Sequence, residues 1–346
     1  MYGLEMWGGI DYPLNRIGDE YFHRGEKRDH DDNIQSLQMF VELGIKKIRI
    51  PCLWELVSPK DLDRCHWHQI DAKLDECQKL GVQPVVHFLH HGSGPTYTSL
   101  IDPDFPEKFA TYARAFAKRY PWVEDYSLIN DIFLTARMSC LEEEWYPHLN
   151  SKTYFLKAIY LQCQASILAM KEIRRVNPRA RMIQTEELGQ SPKSSKYKND
   201  LATNYRWLAL DLLCGKIDEH HDLYGYLLRG GLTEQELIWS KENACTPSMI
   251  GINLFEKETH ENLIQEAWNR YRIPLALTQT QAQNSHDIQQ LWNTAKSFKN
   301  ASMDVRAVTA WSQTASYDWY QDYTNCEPQF NPEIIPMTPN LSSLHP

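Results

Sequence analysis

The sequence predicts an α/β protein of the (β/α)8, or TIM-barrel, class, folded as a single domain over residues 1–330 with a proline-rich tail over residues 331–346. Two observations carry this. Short β-rich runs alternate with helical patterns along the chain, and eight such runs can be counted, each followed by a helical or long irregular segment. The 346 residues are 42% hydrophobic, enough to bury one large core, whereas the last sixteen positions hold four prolines and no hydrophobic period.

The elements follow in order. The first run is Tyr2 to Ile10. A helical pattern from Asp32 to Leu43, stopped by Gly44, leads into Lys47-Ile48-Arg49-Ile50-Pro51. A helix from His68 to Leu80 ends at Gly81, and the β-branched run Val82 to Leu89 is the third strand. Alanines and aromatics at helical spacing mark Pro106 to Arg119, before a fourth strand from Asp125 to Ile129. The long pattern Tyr154 to Val176 is helical, and the turn Asn177-Pro178 delivers a fifth strand, Arg181 to Thr185. The gap from Gln190 to Ser248 needs additional helices, one of them opened by the capping box Thr233-Glu234-Gln235-Glu236. Met249 to Leu254, Leu275 to Thr278 and Val305 to Trp311 are strands six to eight, with a helix from Glu258 to Tyr271 between the first two.

Composition removes whole classes of function. A mean hydropathy of -0.54 and the absence of any apolar run near the ~20 residues of a membrane helix argue against a membrane protein. Thirty-six basic against 45 acidic residues give a net charge of -9, which repels phosphate backbones, so nucleic-acid binding is not expected. The N-terminus lacks a basic segment followed by an apolar one, and the eight cysteines form no Cys-x-x-Cys pair. A cytoplasmic protein with reduced thiols is the expectation. His66, His68, His87, His90 and His91 show none of the established ligand spacings, and on a continuous strand His90 would face away from His87 and His91. No metal and no cofactor is expected. Eleven Trp, 18 Tyr and 11 Phe fill the core for the most part, with some left to stack against a ligand.

In a barrel of this class the strand C-termini carry the function. Reading them off yields Glu5 and Asp11, Trp54 and Glu55, His90 and His91, Asn130 and Asp131, Glu186 and Glu187, Asn253, Gln279 and Trp311. Carboxylates, amides, imidazoles and indoles around one mouth suit a hydroxyl-rich small molecule, with polar groups at its edges and flat faces beneath its C–H surfaces.

Several stretches also carry a resemblance: His90-His91-Gly92-Ser93-Gly94-Pro95, Thr98 to Pro103, Arg119-Tyr120-Pro121-Trp122-Val123, Thr135-Ala136-Arg137, Trp145-Tyr146-Pro147-His148, Gln184-Thr185-Glu186 and Asp304 to Trp311. They resemble glycoside hydrolase family 1, the retaining β-glucosidase family, and more narrowly the bacterial family-1-like domains often fused to a dTDP-4-dehydrorhamnose reductase. No Gly-x-Gly-x-x-Gly turn of such a reductase is present here. The resemblance implies two catalytic glutamates, an acid/base in an Asn-Glu-Pro motif ending the fourth strand and a nucleophile in a Thr-Glu motif ending the seventh. Here those motifs read Asn130-Asp131-Ile132 and Thr278-Gln279. Asp131 keeps the carboxyl on a shorter side chain, while Gln279 cannot ionise and cannot form the covalent glycosyl-enzyme. The family's Gly-x-Asn-Tyr-Tyr strand reads Gly251-Ile252-Asn253-Leu254-Phe255, so the hydroxyl that would serve the nucleophile is missing too. Asn130, Asn253, His90 or His91, Trp311, Asp318 and Trp319 match positions that grip the sugar. Glu186 and Glu187 are additional acids. Either one caps a following helix and the other is solvated, or Glu186 supplies the missing charge.

The expected function is thus a family-1-like glycosidase acting on a β-glycoside or sugar-bearing metabolite by an altered mechanism. Asp131 would be the acid/base, and Gln279 would position a water or a substrate group. A non-catalytic carbohydrate-binding protein and a non-hydrolytic biosynthetic catalyst on the same barrel are the alternatives.

Overall fold

The structure is a computed structural model that describes residues 3–10, 14–18, 20–23, 37–188, 205–254, 260–280 and 285–312. Eight parallel strands close the barrel: β1 (Glu5–Ile10), β4 (Lys47–Pro51), β5 (Gln83–His87), β7 (Asp125–Tyr126), β9 (Arg181–Glu187), β10 (Met249–Leu254), β11 (Leu275–Thr280) and β12 (Val305–Ser312). They pair in chain order, and β12 returns to β1. Two small sheets lie outside this ring, the antiparallel hairpin β2 (Leu14–Ile17) with β3 (Glu20–His23) and the parallel pair β6 (Leu89–His90) with β8 (Ile129–Asn130).

Period-two alternation sorts each strand into an inner and an outer face. Ile250, Ile252, Leu254, Leu275, Leu277 and Val308 point outward and pack with Leu263, Ile264 and Ala267 of the helix His260–Tyr271. Their inward neighbours are Met249, Ala276 and Ala307, which join Trp7, Val85 and Ile183 in a small plug inside the barrel. Above the plug, Gly251 leaves no room for a side chain, since a Cβ there would lie 2.6 Å from both Thr185 Cγ2 and Thr278 Oγ1. Below it the charges are paired: Asp125 meets Lys47 at 2.6 Å and Arg181 at 2.7 Å.

The helices form for local reasons. Gly81, in the left-handed region at φ 68°, ends His68–Leu80 with its N–H on the carbonyls of Cys77 and Gln78. Phe105–Arg119 buries Phe105, Phe109, Tyr112 and Phe116 against Trp54, Phe88 and Tyr126, each large side chain contributing about 1.5–3 kcal/mol by leaving water. These aromatics serve the layer outside the barrel. The capping box at Thr233 forms as the sequence predicts, with both reciprocal hydrogen bonds present.

Several sequence expectations need correction. The fourth strand is split: β7 ends at Tyr126, and the Leu128 carbonyl accepts from Phe88 and Leu89 at 3.0 and 3.1 Å before β8 resumes. The fifth and seventh strands run on to Glu187 and Thr280. Of the helix expected over Asp32 to Leu43, residues 37–42 are helical and its start lies outside the described residues, as does the tail over 331–346.

Candidate active site

A buried polar network occupies the C-terminal end of the barrel, and Asp131 is its centre. Residue 131 sits in the left-handed region at φ 54° and ψ 61°, a conformation that aspartate tolerates better than most residues. Its backbone N–H donates to the Thr185 carbonyl at 3.0 Å, and its own carbonyl accepts from Thr135 at 2.8 Å, opening the helix Ile132–Cys140. This turn swings the carboxyl back over the barrel. There Oδ1 accepts from Asn253 Nδ2 at 2.7 Å and Oδ2 from Asn130 Nδ2 at 2.6 Å, while the Glu187 backbone N–H also donates to the carboxylate.

The amides are held in turn. Asn130 Oδ1 accepts from Arg49 Nη2 at 3.1 Å, Thr185 Oγ1 at 2.9 Å and Asn253 Nδ2 at 3.3 Å. Asn253 Oδ1 accepts from Thr278 Oγ1 at 2.8 Å. Arg49 was not among the candidates from sequence. Its signal is the alternation Lys47-Ile48-Arg49-Ile50, which places a guanidinium where an inward apolar residue would be ordinary. Burial pushes the Asp131 carboxyl up to about 6, against the opposing pull of the Asn253 amide, Arg49, the Glu187 N–H and Asn130. A carboxyl poised there can hold a proton near neutral pH and give it up.

Glu186 is placed differently from its expected role. It aligns with Ile252, which packs on the outer side of the barrel, and its carboxylate accepts from the backbone N–H groups of Ile132 and Phe133 at 3.2 and 3.3 Å. Gln184 Nε2, on the same outer face, adds a third bond at 2.8 Å. Glu186 thus caps the helix that begins after Asp131 rather than one that follows β9. Burial, then the neighbouring Asp131 charge, pushes it up to about 8. Glu187 is not solvated either, with 4% of its surface exposed.

The three histidines come together, contrary to the expectation that at most two would. His87 and His90 ring centroids are 5.2 Å apart, and those of His90 and His91 4.5 Å. The strand breaks at Phe88, and His91 turns to φ 62°, so the alternation of a continuous strand does not apply. Burial, followed by neighbouring positive groups, pushes His87 and His90 well below the ordinary imidazole range. His91 also packs against Trp145, 4.7 Å between centroids. Among the described residues no group of three or more His, Cys, Asp or Glu side chains is arranged to hold a metal ion.

Around this network lie two further features. Glu55, in the helix Trp54–Val57, is buried beneath Gly92 and Gly94; it accepts from the Gly94 N–H at 3.2 Å, and burial pushes its carboxyl up to about 8. Arg16, from β2, bonds the carbonyls of Pro95, Thr96 and Thr98 and lies 4.0 Å over the Tyr146 ring, tying the hairpin to the loop after His91. Glu5, by contrast, begins β1 at the opposite end of the barrel, where Trp7 Nε1 donates to it at 2.9 Å.

Of the remaining candidates, Gln279 and Trp311 are placed by their backbones. Gln279 lies in register with Asn253, through an irregularity in the β10–β11 pairing, and Trp311 lies in register with Gly9. Asp11, Phe255, Asp318 and Trp319 lie outside the described residues.

No protein-family model matches the sequence, and no curated protein matches it. Solved structures do match the fold. A β-glucosidase from Thermotoga maritima in complex with glucoimidazole superposes at a TM-score of 0.68 and 14% identity, covering 84% of this chain and 79% of that one. The same enzyme in complex with azafagomine gives 0.69 at 13% identity, with 84% and 78% covered. The AHE enzyme from Alicyclobacillus herbarius gives 0.69 at 16%, with 84% and 79% covered. Another of the matching structures is described as the family 1 β-glucosidase from Thermotoga maritima. What the chain shares with them at these identities is the barrel fold.

Proposed function

We propose that this protein is a family-1-like glycoside-processing enzyme that takes a β-glycoside or sugar-bearing metabolite at the C-terminal mouth of its barrel. The observation that carries this reading is the Asp131 carboxyl, buried at that mouth, held by two amides and raised to about 6. Asp131 is the general acid: protonated, it gives its proton to the leaving oxygen as the glycosidic bond breaks. Asn130 and Asn253 fix its position, and Arg49 fixes Asn130. The resemblance assigns His90 or His91, Trp311, Asp318 and Trp319 to gripping the sugar.

Gln279 stands where the resemblance would place an ionised nucleophile. An amide there forms no glycosyl-enzyme, so the anomeric carbon is attacked by a water or by a group of the substrate itself. Sugar-like ligands in the Thermotoga maritima structures, glucoimidazole and azafagomine, agree with a carbohydrate as the ligand. The test is a panel of aryl β-glycosides and 2-acetamido glycosides, run with the protein and with Asp131→Asn. Turnover that depends on Asp131 supports the reading, whereas no turnover, or equal turnover by the variant, ends it.

The neutral side chain of Gln279 also favours a second reading, a carbohydrate-binding protein without catalysis. Calorimetric sugar binding with no product after prolonged incubation and mass spectrometry would establish that instead.

A further inference from the structure

Burial raises the Asp131 carboxyl, and the strongest opposing influence is Asn253, whose Nδ2 donates to Oδ1 at 2.7 Å. A primary amide has nearly the same shape either way round, so this bond exists only while something keeps the nitrogen, not the oxygen, toward Asp131. The two amides at the mouth are held unequally. Asn130 Oδ1 accepts from Arg49, Thr185 and Asn253, three donors on three strands. Asn253 Oδ1 accepts from Thr278 Oγ1 at 2.8 Å, and among the described residues that hydroxyl is its one donor.

Local structure puts the hydroxyl there. Ala276 belongs to the plug inside the barrel, so alternation turns Thr278 inward as well, and its Oγ1 would lie 2.6 Å from a Cβ at Gly251. The β10–β11 register pairs Ile252 with Leu277 and then Asn253 with Gln279, which passes over Thr278. Thr278 therefore stands beside Asn253 instead of opposite it, within reach of the amide oxygen.

We propose that Thr278 is a positioning residue for the general acid: its hydroxyl fixes the Asn253 amide with the nitrogen toward Asp131, and so sets the pH at which Asp131 gives up its proton. For its part in turnover the inference rests on the glycosidase reading given above. The strand whose Gln279 stands where the resemblance would place a nucleophile then serves the acid instead. Without the hydroxyl, the Asn253 oxygen can turn toward a protonated Asp131 and accept from it, and burial of the carboxyl is less opposed. The carboxyl then holds its proton to higher pH.

The other titratable and charged groups around Asp131 are Arg49 of β4, Glu186 and Glu187 of β9, and His90 of β6, which is in register with Asn130 and kept neutral by burial. Substituting Thr278 removes none of them, so a shift in Asp131 reports on the amide.

The experiment follows Asp131 by carbon-13 NMR of the full-length protein labelled at the aspartate carboxyls, with Asp131→Asn to assign the signal, in Thr278→Val, Thr278→Ala and Thr278→Ser. Asp131 should titrate near 6 in the unsubstituted protein. It should titrate about one pH unit higher in Thr278→Val and Thr278→Ala, and within about 0.3 of the unsubstituted value in Thr278→Ser, which keeps the hydroxyl. On a responsive aryl glycoside the alkaline fall in rate should move up with the titration, while KM stays within about threefold. Thr278→Ala adds no methyl beside Asn253 and decides the matter where Thr278→Val folds poorly. An Asp131 titration unmoved in a folded variant lacking the hydroxyl, or moved equally by Thr278→Ser, overturns the inference. Absence of any cleavage by the unsubstituted protein removes the glycosidase reading, whereas the NMR titration still decides what Thr278 does.

Discussion

Asp131 and Asp211 are equally buried, each with no exposed surface, yet the protein treats them in opposite ways. Asp211, in the helix Leu208–Leu213, accepts from Arg270 Nη2 at 2.6 Å, from Tyr271 Oη at 2.8 Å and from His221 Nε2 at 3.2 Å. Burial pushes its carboxyl up, but these partners outweigh burial and hold it below the usual carboxylate range. Asp131 has amides where Asp211 has a guanidinium, because Arg49 is turned to Asn130, and burial wins. At equal depth, the partner's charge decides whether a carboxyl is a fixed anion or a proton store.

The largest expected effect lies on the proton store. Asp131→Asn keeps the size and loses the proton, so turnover of a responsive aryl glycoside should fall about 10³-fold. In the unsubstituted protein the rate should decline as pH rises through about 6, where the acid ionises. A rate that stays level across that range would break the contrast with Asp211.

Next comes the fixed anion. Asp211→Asn leaves Arg270 without its counter-ion, at a cost of about 3 kcal/mol in urea unfolding, near the lower end for a buried pair because the Arg270 side chain is 28% exposed. Since the folded carboxyl is depressed, its contribution is present above the unfolded value near ~3.9 and is lost as pH falls through the folded value. Activity should survive at pH 7.

Glu55 sharpens the comparison from the other direction. Raised to about 8, it binds its proton more tightly folded than unfolded. Its stabilising effect is complete below the unfolded value and is lost as pH rises from about 4.3 through about 8. Glu55→Gln keeps the acceptor for Gly94 and should flatten that decline, adding on the order of 2 kcal/mol at pH 8 in denaturant unfolding. Thr233→Ala, remote from every buried carboxyl, should cost about 1 kcal/mol of helix capping and leave turnover unchanged.

The barrel was legible because its signals are local. Gly81 stops a helix through its own backbone, and Met249 to Leu254 is recognisable by composition alone. The mouth was legible in its membership: Asn130, Asp131 and Asn253 form one hydrogen-bonded group. Orientation was not, because one-residue irregularities decide it. The break at Phe88 brings three imidazoles together, and the irregularity between Ile252 and Asn253 sets Gln279 rather than Thr278 opposite Asn253. Such register shifts arise from pairing between distant strands, which no local window of sequence contains.

Gly251 carries one last consequence. With Thr185 and Thr278 closing over the space its side chain would need, and the plug of Trp7, Val85 and Ile183 beneath, the described residues close the barrel below its C-terminal end. On the glycosidase reading, product leaves by the mouth through which substrate came. Turnover is then a matter of traffic as well as chemistry, and the released sugar competes with the next substrate for the same threshold.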